Sequence, residues 1–227
     1  MKHERIAGLS AAVFAISIFS INLVENVGTA RPDPAASAED VSQWAQDAGA
    51  YLWATTILVP VCWMLLAVFE AFVWNRARTE QIGMMWPTVG LLGSAMTMGT
   101  LSAAIAADAA LIASADNLSL DVVEFLANFS VSLFLFNWAA LALALFGLSR
   151  TTAALGISPR WLNVLSVVGA ALLAIGSVQV GPVLNGFLPA VLIGLPGFVI
   201  WLVYLLVVGL RLVRTPEQIS SRVVLTG

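Results

Sequence analysis

Few side chains in this sequence can do chemistry, and those few are unevenly placed. Glu25, Asp108 and Glu124 are acids at or within the ends of long apolar runs, and Asn22, Asn26, Asn128, Gln179 and Asn185 fall at similar depth. Ionisable groups at membrane depth are costly, so they tend to face a cavity or a partner. Asn128 follows Glu124 by four positions, which puts the two on one helix face. Glu25, Asp108, Glu124, Asn128 and Asn185 together outline an outward-facing polar pocket. Its ligand would be a cation, a small polar molecule or a lipid headgroup. The competing reading is a set of hydrated helix ends at the membrane interface.

Two polar residues lie deeper. Glu70 sits one turn inside Trp74, with Arg76 and Arg78 just beyond. It is suited to proton relay, or, more simply, to snorkelling toward water or pairing with an arginine. Asn137 lies mid-span beside Trp138. There it is expected to hydrogen-bond across helices, with a substrate contact as the alternative. Pro60 and Pro196-Gly197 mark the middle of two apolar runs and are read as kinks, and Cys62 as a small buried apolar residue.

Composition removes several classes of function. Of the 227 residues 60% are hydrophobic and 10% charged, with a mean hydropathy of +0.94. Soluble domains carry roughly 25% charged residues, so this is a membrane chain. A net charge of −3 argues against nucleic acid as a partner. His3 is the one histidine, Cys62 the one cysteine and Lys2 the one lysine. Histidine-paired haem, histidine-based nucleophiles, thiolate metal sites and a Schiff base within the bundle are therefore not expected. Neither is any metal or other cofactor. No phosphate loop, HExxH or GxSxG motif is present. Catalysis is disfavoured. A lipid-modifying enzyme would need two of Glu25, Asp108 and Glu124 within about 5–10 Å of each other.

The elements that must hold these residues are helices. The run of about 19 apolar residues after MKHER is long enough to span a bilayer, so it is read as a retained first helix rather than a cleaved leader. Six spans are expected at about 6–24, 49–74, 84–111, 120–148, 161–180 and 187–210, with a polar tail over 211–227. Arg31-Pro-Asp-Pro34 blocks helix, and Ser37 reads as an N-cap. A short periplasmic interfacial helix carrying Trp44 should follow it and lead into the second span. Ser119 should cap the fourth span. Ser158-Pro159 should open the fifth, with Ser158 as cap. Gly181 to Gly186 reads as a turn.

Six spans place both termini on one side. Lys2, Arg5, Arg76, Arg78, Arg150, Arg160, Arg211, Arg214 and Arg222 fall on that side, and Arg31 alone falls opposite. Nine of ten basic residues on one face make that face cytoplasmic. Within the third span, Ala95, Gly99, Ala103 and Ala107 recur every fourth residue, with Ser94, Ser102, Ala106 and Ala110 beside them. Small residues allow close helix approach, so this helix is expected at the centre of the bundle. The same face would equally serve a homo-oligomer.

The stretch from Ile157 to Leu162, a Gly/Ala-rich span, and IWLVYLLVVGLRLVR from Ile200 to Arg214 resemble a group of uncharacterised six-to-seven-helix bacterial membrane proteins, common in actinobacteria. The likeness extends loosely to Arg5-Ile6-Ala7-Gly8. It implies fold and localisation in the inner (plasma) membrane, and supplies no catalytic or ligand residues. The expected protein is thus a single all-α, six-span bundle over residues 1–227. It is read as a non-enzymatic accessory, sensory or ligand-binding protein, with a small-solute or ion transporter as the alternative. Its expected partners are the lipid bilayer and either a second copy or another membrane protein.

Overall fold

A computed structural model describes residues 2–28, 31–187 and 189–214. Among them the chain is all helix and connecting turns. The helices are α1 (Lys2–Gly28), α2 (Ala38–Thr79), α3 (Met85–Ser114), α4 (Leu120–Ala154), α5 (Arg160–Ser177), α6 (Val180–Leu184) and α7 (Pro189–Arg214). Six of them, all but α6, are long and apolar enough to cross a membrane. Their outward faces agree with that reading. On α1, Ile6, Leu9, Val13, Ile16 and Phe19 are each 46% exposed or more, at helical spacing. Ile57, Val61, Met64 and Val68 form the same kind of stripe on α2. Apolar stripes of this size stay uncovered where lipid, not water, is the solvent.

Helix ends follow local chemistry, with shifts from the sequence expectation. Ser37 caps α2, its hydroxyl accepting from the Asp40 backbone N–H. The helical segment expected before the second span is present. It runs on into the span as one 42-residue helix, because no proline intervenes before Pro60 and the lone Gly49 costs only about 1 kcal/mol. Pro159, not Ser158, occupies the N-cap of α5. Ser158 is drawn away by its hydroxyl's bond to Asn163 and its N–H bond to the Thr152 carbonyl. The stretch after α5 forms the one-turn helix α6 where a turn was expected.

The six spans close a ring. Neighbours run α1 to α2, α2 to α3, α3 to α4, α4 to α5, α5 to α7 and α7 back to α1. Helix α4 is also reached by α2, α6 and α7, and is the most buried span, whereas α3 is the least buried. This overturns the expectation of α3 as the central helix. Ala95 and Gly99 are exposed, Ala103 is half-buried, and only Ala107 of the expected quartet is buried. The buried face of α3 is instead Gly90, Gly93, Ser94, Thr97, Ala104, Ala107 and Leu111. The reason is the glycine contact with α4. A methyl group on Gly147 would lie 2.6 Å from the Gly90 Cα, and one on Gly93 would lie 2.8 Å from the Ala140 carbonyl oxygen. That backbone contact sets the rotation of α3 and leaves Gly99 open, with nothing within 4 Å of where its Cβ would be.

A second glycine contact joins α1 to α7. A methyl on Gly8 would lie 2.5 Å from the Gly209 carbonyl oxygen. The start of α1 therefore lies beside the end of α7, and the two ends of the described chain share one face of the bundle. Arg76 strengthens that end. Its Nη1 lies 2.5 Å from Glu4 and its Nε 2.6 Å from Glu80, tying α1 to the close of α2. The main core lies between the spans, around Phe14, Leu66, Phe69, Trp138, Leu141, Leu145 and Tyr204. A smaller core at the opposite end gathers Val41, Ala45, Leu111, Ala115 and Val123. It holds the first turns of α2 against the end of α3 and the start of α4.

Candidate functional site

The opposite end carries the polar arrangement. Pro32 and Pro34 keep the connection after α1 out of helix. The Asp33 carboxylate accepts from the Ala35 N–H at 2.9 Å, an Asx turn that leads the chain into the Ser37 cap. From this loop Arg31 reaches across the bundle end. Its Nη1 and Nη2 each lie 3.1 Å from one carboxylate oxygen of Asp108. Nη1 also lies 3.4 Å from the Ser130 hydroxyl, and the guanidinium carbon stands 5.3 Å from the Trp44 ring centroid. One guanidinium thus links the loop with α2, α3 and α4. Arginine's planar fork suits two-point pairing with a carboxylate, and its face suits an aromatic ring. The side chains remain partly open, Arg31 at 34% and Asp108 at 19% exposure.

The other expected members of this site take different positions. Glu124 is exposed on the second turn of α4, and Asn128, one turn on, is half-buried. Both stand on the helix that supplies Ser130. Asn185 is exposed beyond α6, where its Nδ2 donates to the Gly181 carbonyl at 2.8 Å. Glu25 belongs to α1, but its side chain lies outside the described residues. Sequence reasoning missed Arg31 as a member of this arrangement, reading it only as the exception to the charge rule. That exception was the available signal: one basic residue stands on an otherwise acidic face.

The interior differs from expectation at Glu70. The two simple readings, snorkelling to the interface or pairing with an arginine, do not hold. Arg76 is committed to Glu4 and Glu80. Glu70 is 3% exposed, and its Oε1 has no hydrogen-bond partner. Ser94 of α3 lies beside the carboxyl, and its hydroxyl has no partner in good hydrogen-bond geometry. Thr97, one turn along α3, is also buried with an unpartnered hydroxyl. Unmatched buried polar groups cost about 1–3 kcal/mol each, so the cluster is expensive as a purely structural feature. Nearby polar pairs are satisfied. Tyr204 and Thr152 share a buried bond of 2.9 Å, and the Thr100 hydroxyl stands 3.1 Å from Asn137 Oδ1 and 2.9 Å from the Met96 carbonyl oxygen of its own helix. Asn137 of α4 thus stands within hydrogen-bond reach of α3.

Among the described residues no three His, Cys, Asp or Glu side chains gather into a metal-binding group. Comparison with protein-family models, curated proteins and solved structures gives no match. The resemblance to bacterial six-to-seven-helix proteins therefore stands as six-helix topology alone, and residue roles rest on the chemistry of the two sites.

Proposed function

We infer that this multi-pass membrane protein is a non-enzymatic accessory, sensory or ligand-binding protein of a bacterial plasma membrane, with both termini in the cytosol. Its ligand site is the outer-facing polar surface around Arg31, Asp108 and Trp44, with Glu124 and Asn128 as further candidates on α4. The observation that carries this reading is the Arg31 fork, which joins the loop, α2, α3 and α4 through one partly exposed cation. Asp108 already has a matching charge, so a bare cation is a poor ligand there. A small polar molecule or lipid headgroup offering an anionic acceptor to the guanidinium fits better.

The test is thermal stability in lipid nanodiscs containing phosphatidylglycerol or only phosphatidylcholine. Wild type should melt higher with the anionic lipid, and Arg31→Ala should lose that difference. Equal melting of wild type in both lipids removes the headgroup reading. Melting that also ignores added small carboxylates and phosphates removes the site.

Transport of an ion or small solute is the second reading, favoured by the buried and incompletely bonded Glu70. It requires a polar route from the outer surface past Asn137 to Glu70. Flux into proteoliposomes that is lost in Glu70→Gln would support it.

A further inference from the structure

We propose that Glu70 and Ser94 form an interior binding site for a small monovalent cation of the sodium type, with Thr97 as an adjoining oxygen donor. This goes beyond the outer-surface reading and does not depend on it. Glu70 is 3% exposed, Ser94 1% and Thr97 2%, and each has an oxygen without a hydrogen-bond partner. The groups come from two packed helices, with Glu70 about 9 Å along α2 from the Arg76 clamp.

Charge decides the class of ion. A buried carboxylate persists only when it is neutralised or paired. Arg76, the nearest basic residue along α2, is bound to Glu4 and Glu80. Titratable groups on the helices flanking α2 stand at their ends: Lys2, His3, Glu4, Arg5 and Glu25 on α1, Asp108 on α3, and Asp121, Glu124 and Arg150 on α4. Tyr204 on α7 is within electrostatic reach of Glu70, and its hydroxyl is bonded to Thr152. Among the described residues no second carboxylate therefore joins Glu70 to match a divalent ion, whereas one monovalent ion leaves the site neutral. The donors are carboxylate and hydroxyl oxygens, the ligands hard cations prefer. Cys62, the one thiol, belongs to the core two turns away on α2. A proton is the natural competitor for the same carboxylate.

The experiment uses the full chain purified in detergent, with sodium chloride replaced stepwise by choline chloride at constant ionic strength. Sodium should raise the melting temperature by about 3 °C at saturation. Glu70→Gln should melt identically in both salts, and Ser94→Ala should need more sodium for the same rise. A hydrophobic carbodiimide, which modifies protonated carboxyl groups in apolar surroundings, should label Glu70 in choline and be blocked by sodium. This second measurement uses wild type, so it stands even if Glu70→Gln does not fold. Coincident melting curves for wild type in the two salts overturn the proposal. So does a sodium response that survives in Glu70→Gln, or labelling of Glu70 that sodium leaves unchanged.

Discussion

Arg31 and Asp108, 77 positions apart in the chain, meet fork to fork, with two nitrogen–oxygen distances of 3.1 Å. The pair anchors the loop after α1 onto the end of α3, and Trp44 and Ser130 complete its surroundings. Its partial exposure keeps the energy modest. Exposed pairs contribute about 0–1 kcal/mol, and this one should lie at the upper end because both nitrogens are engaged. A double-mutant cycle on Arg31→Ala and Asp108→Asn should return a coupling of about 1 kcal/mol, read by unfolding in mixed micelles. Additive effects of the two substitutions would show the pair to be energetically idle.

The glycine contact between α3 and α4 makes a sharper prediction. Gly147→Ala puts a methyl group 2.6 Å from the Gly90 Cα, where only backbone stands and nothing flexible can move aside. The expected cost is about 1–3 kcal/mol. Gly99→Ala on the same α3 should be neutral or slightly stabilising, since nothing lies within 4 Å of the new methyl. Comparing the melting temperatures of the two variants checks which face of α3 is packed.

Closure of the ring at α1 and α7 can be tested in the same way. Gly209→Ala would place a methyl 2.6 Å from the Gly8 carbonyl oxygen. Loss of about 1–3 kcal/mol is expected, together with faster proteolysis of the amino-terminal segment. An unchanged melting temperature would mean that α1 is not held against α7.

The bridge between Thr100 and Asn137 should be worth about 0.6 kcal/mol, the mean for polar contacts between membrane helices. Thr100→Val removes the donor while keeping the shape. Its effect should disappear in an Asn137→Leu background, and unfolding measurements on the two single variants and the double variant will show whether it does.

The arginines predict the sidedness, and labelling tests it. In a Cys62→Ala background, Asn117→Cys should react with an impermeant maleimide in intact cells, and Gln81→Cys only after permeabilisation. The reverse pattern would invert the protein in the membrane.

Much of the fold was legible because lipid imposes strong rules. Spans need long apolar runs, prolines 32 and 34 stop helix, Ser37 caps it, and basic residues cluster on one face. The candidate sites were only half legible. Asp108 was marked by its position at a helix end, but its partner came from a loop far away in sequence. Glu70 was visible as an acid in a span, yet the arginines beside it in sequence suggested a pairing that the bundle does not make. Arg76 is drawn instead to Glu4, on a helix whose proximity depends on how the ring closes.

What the sequence determined by itself is the number of spans and that the two ends of the described chain share one face. Those follow from transfer energies summed locally along the chain. What the tertiary structure alone decided is which face of each helix turns inward. Ala95 and Gly99 looked like the contact surface of α3, but Gly90 and Gly93 allow α4 nearer, and the closest backbone approach sets the rotation. That rotation buries Ser94 beside Glu70 and leaves Asp108 at the surface for Arg31. Small residues permit contact on any face, and only the shape of the opposing helix selects among them.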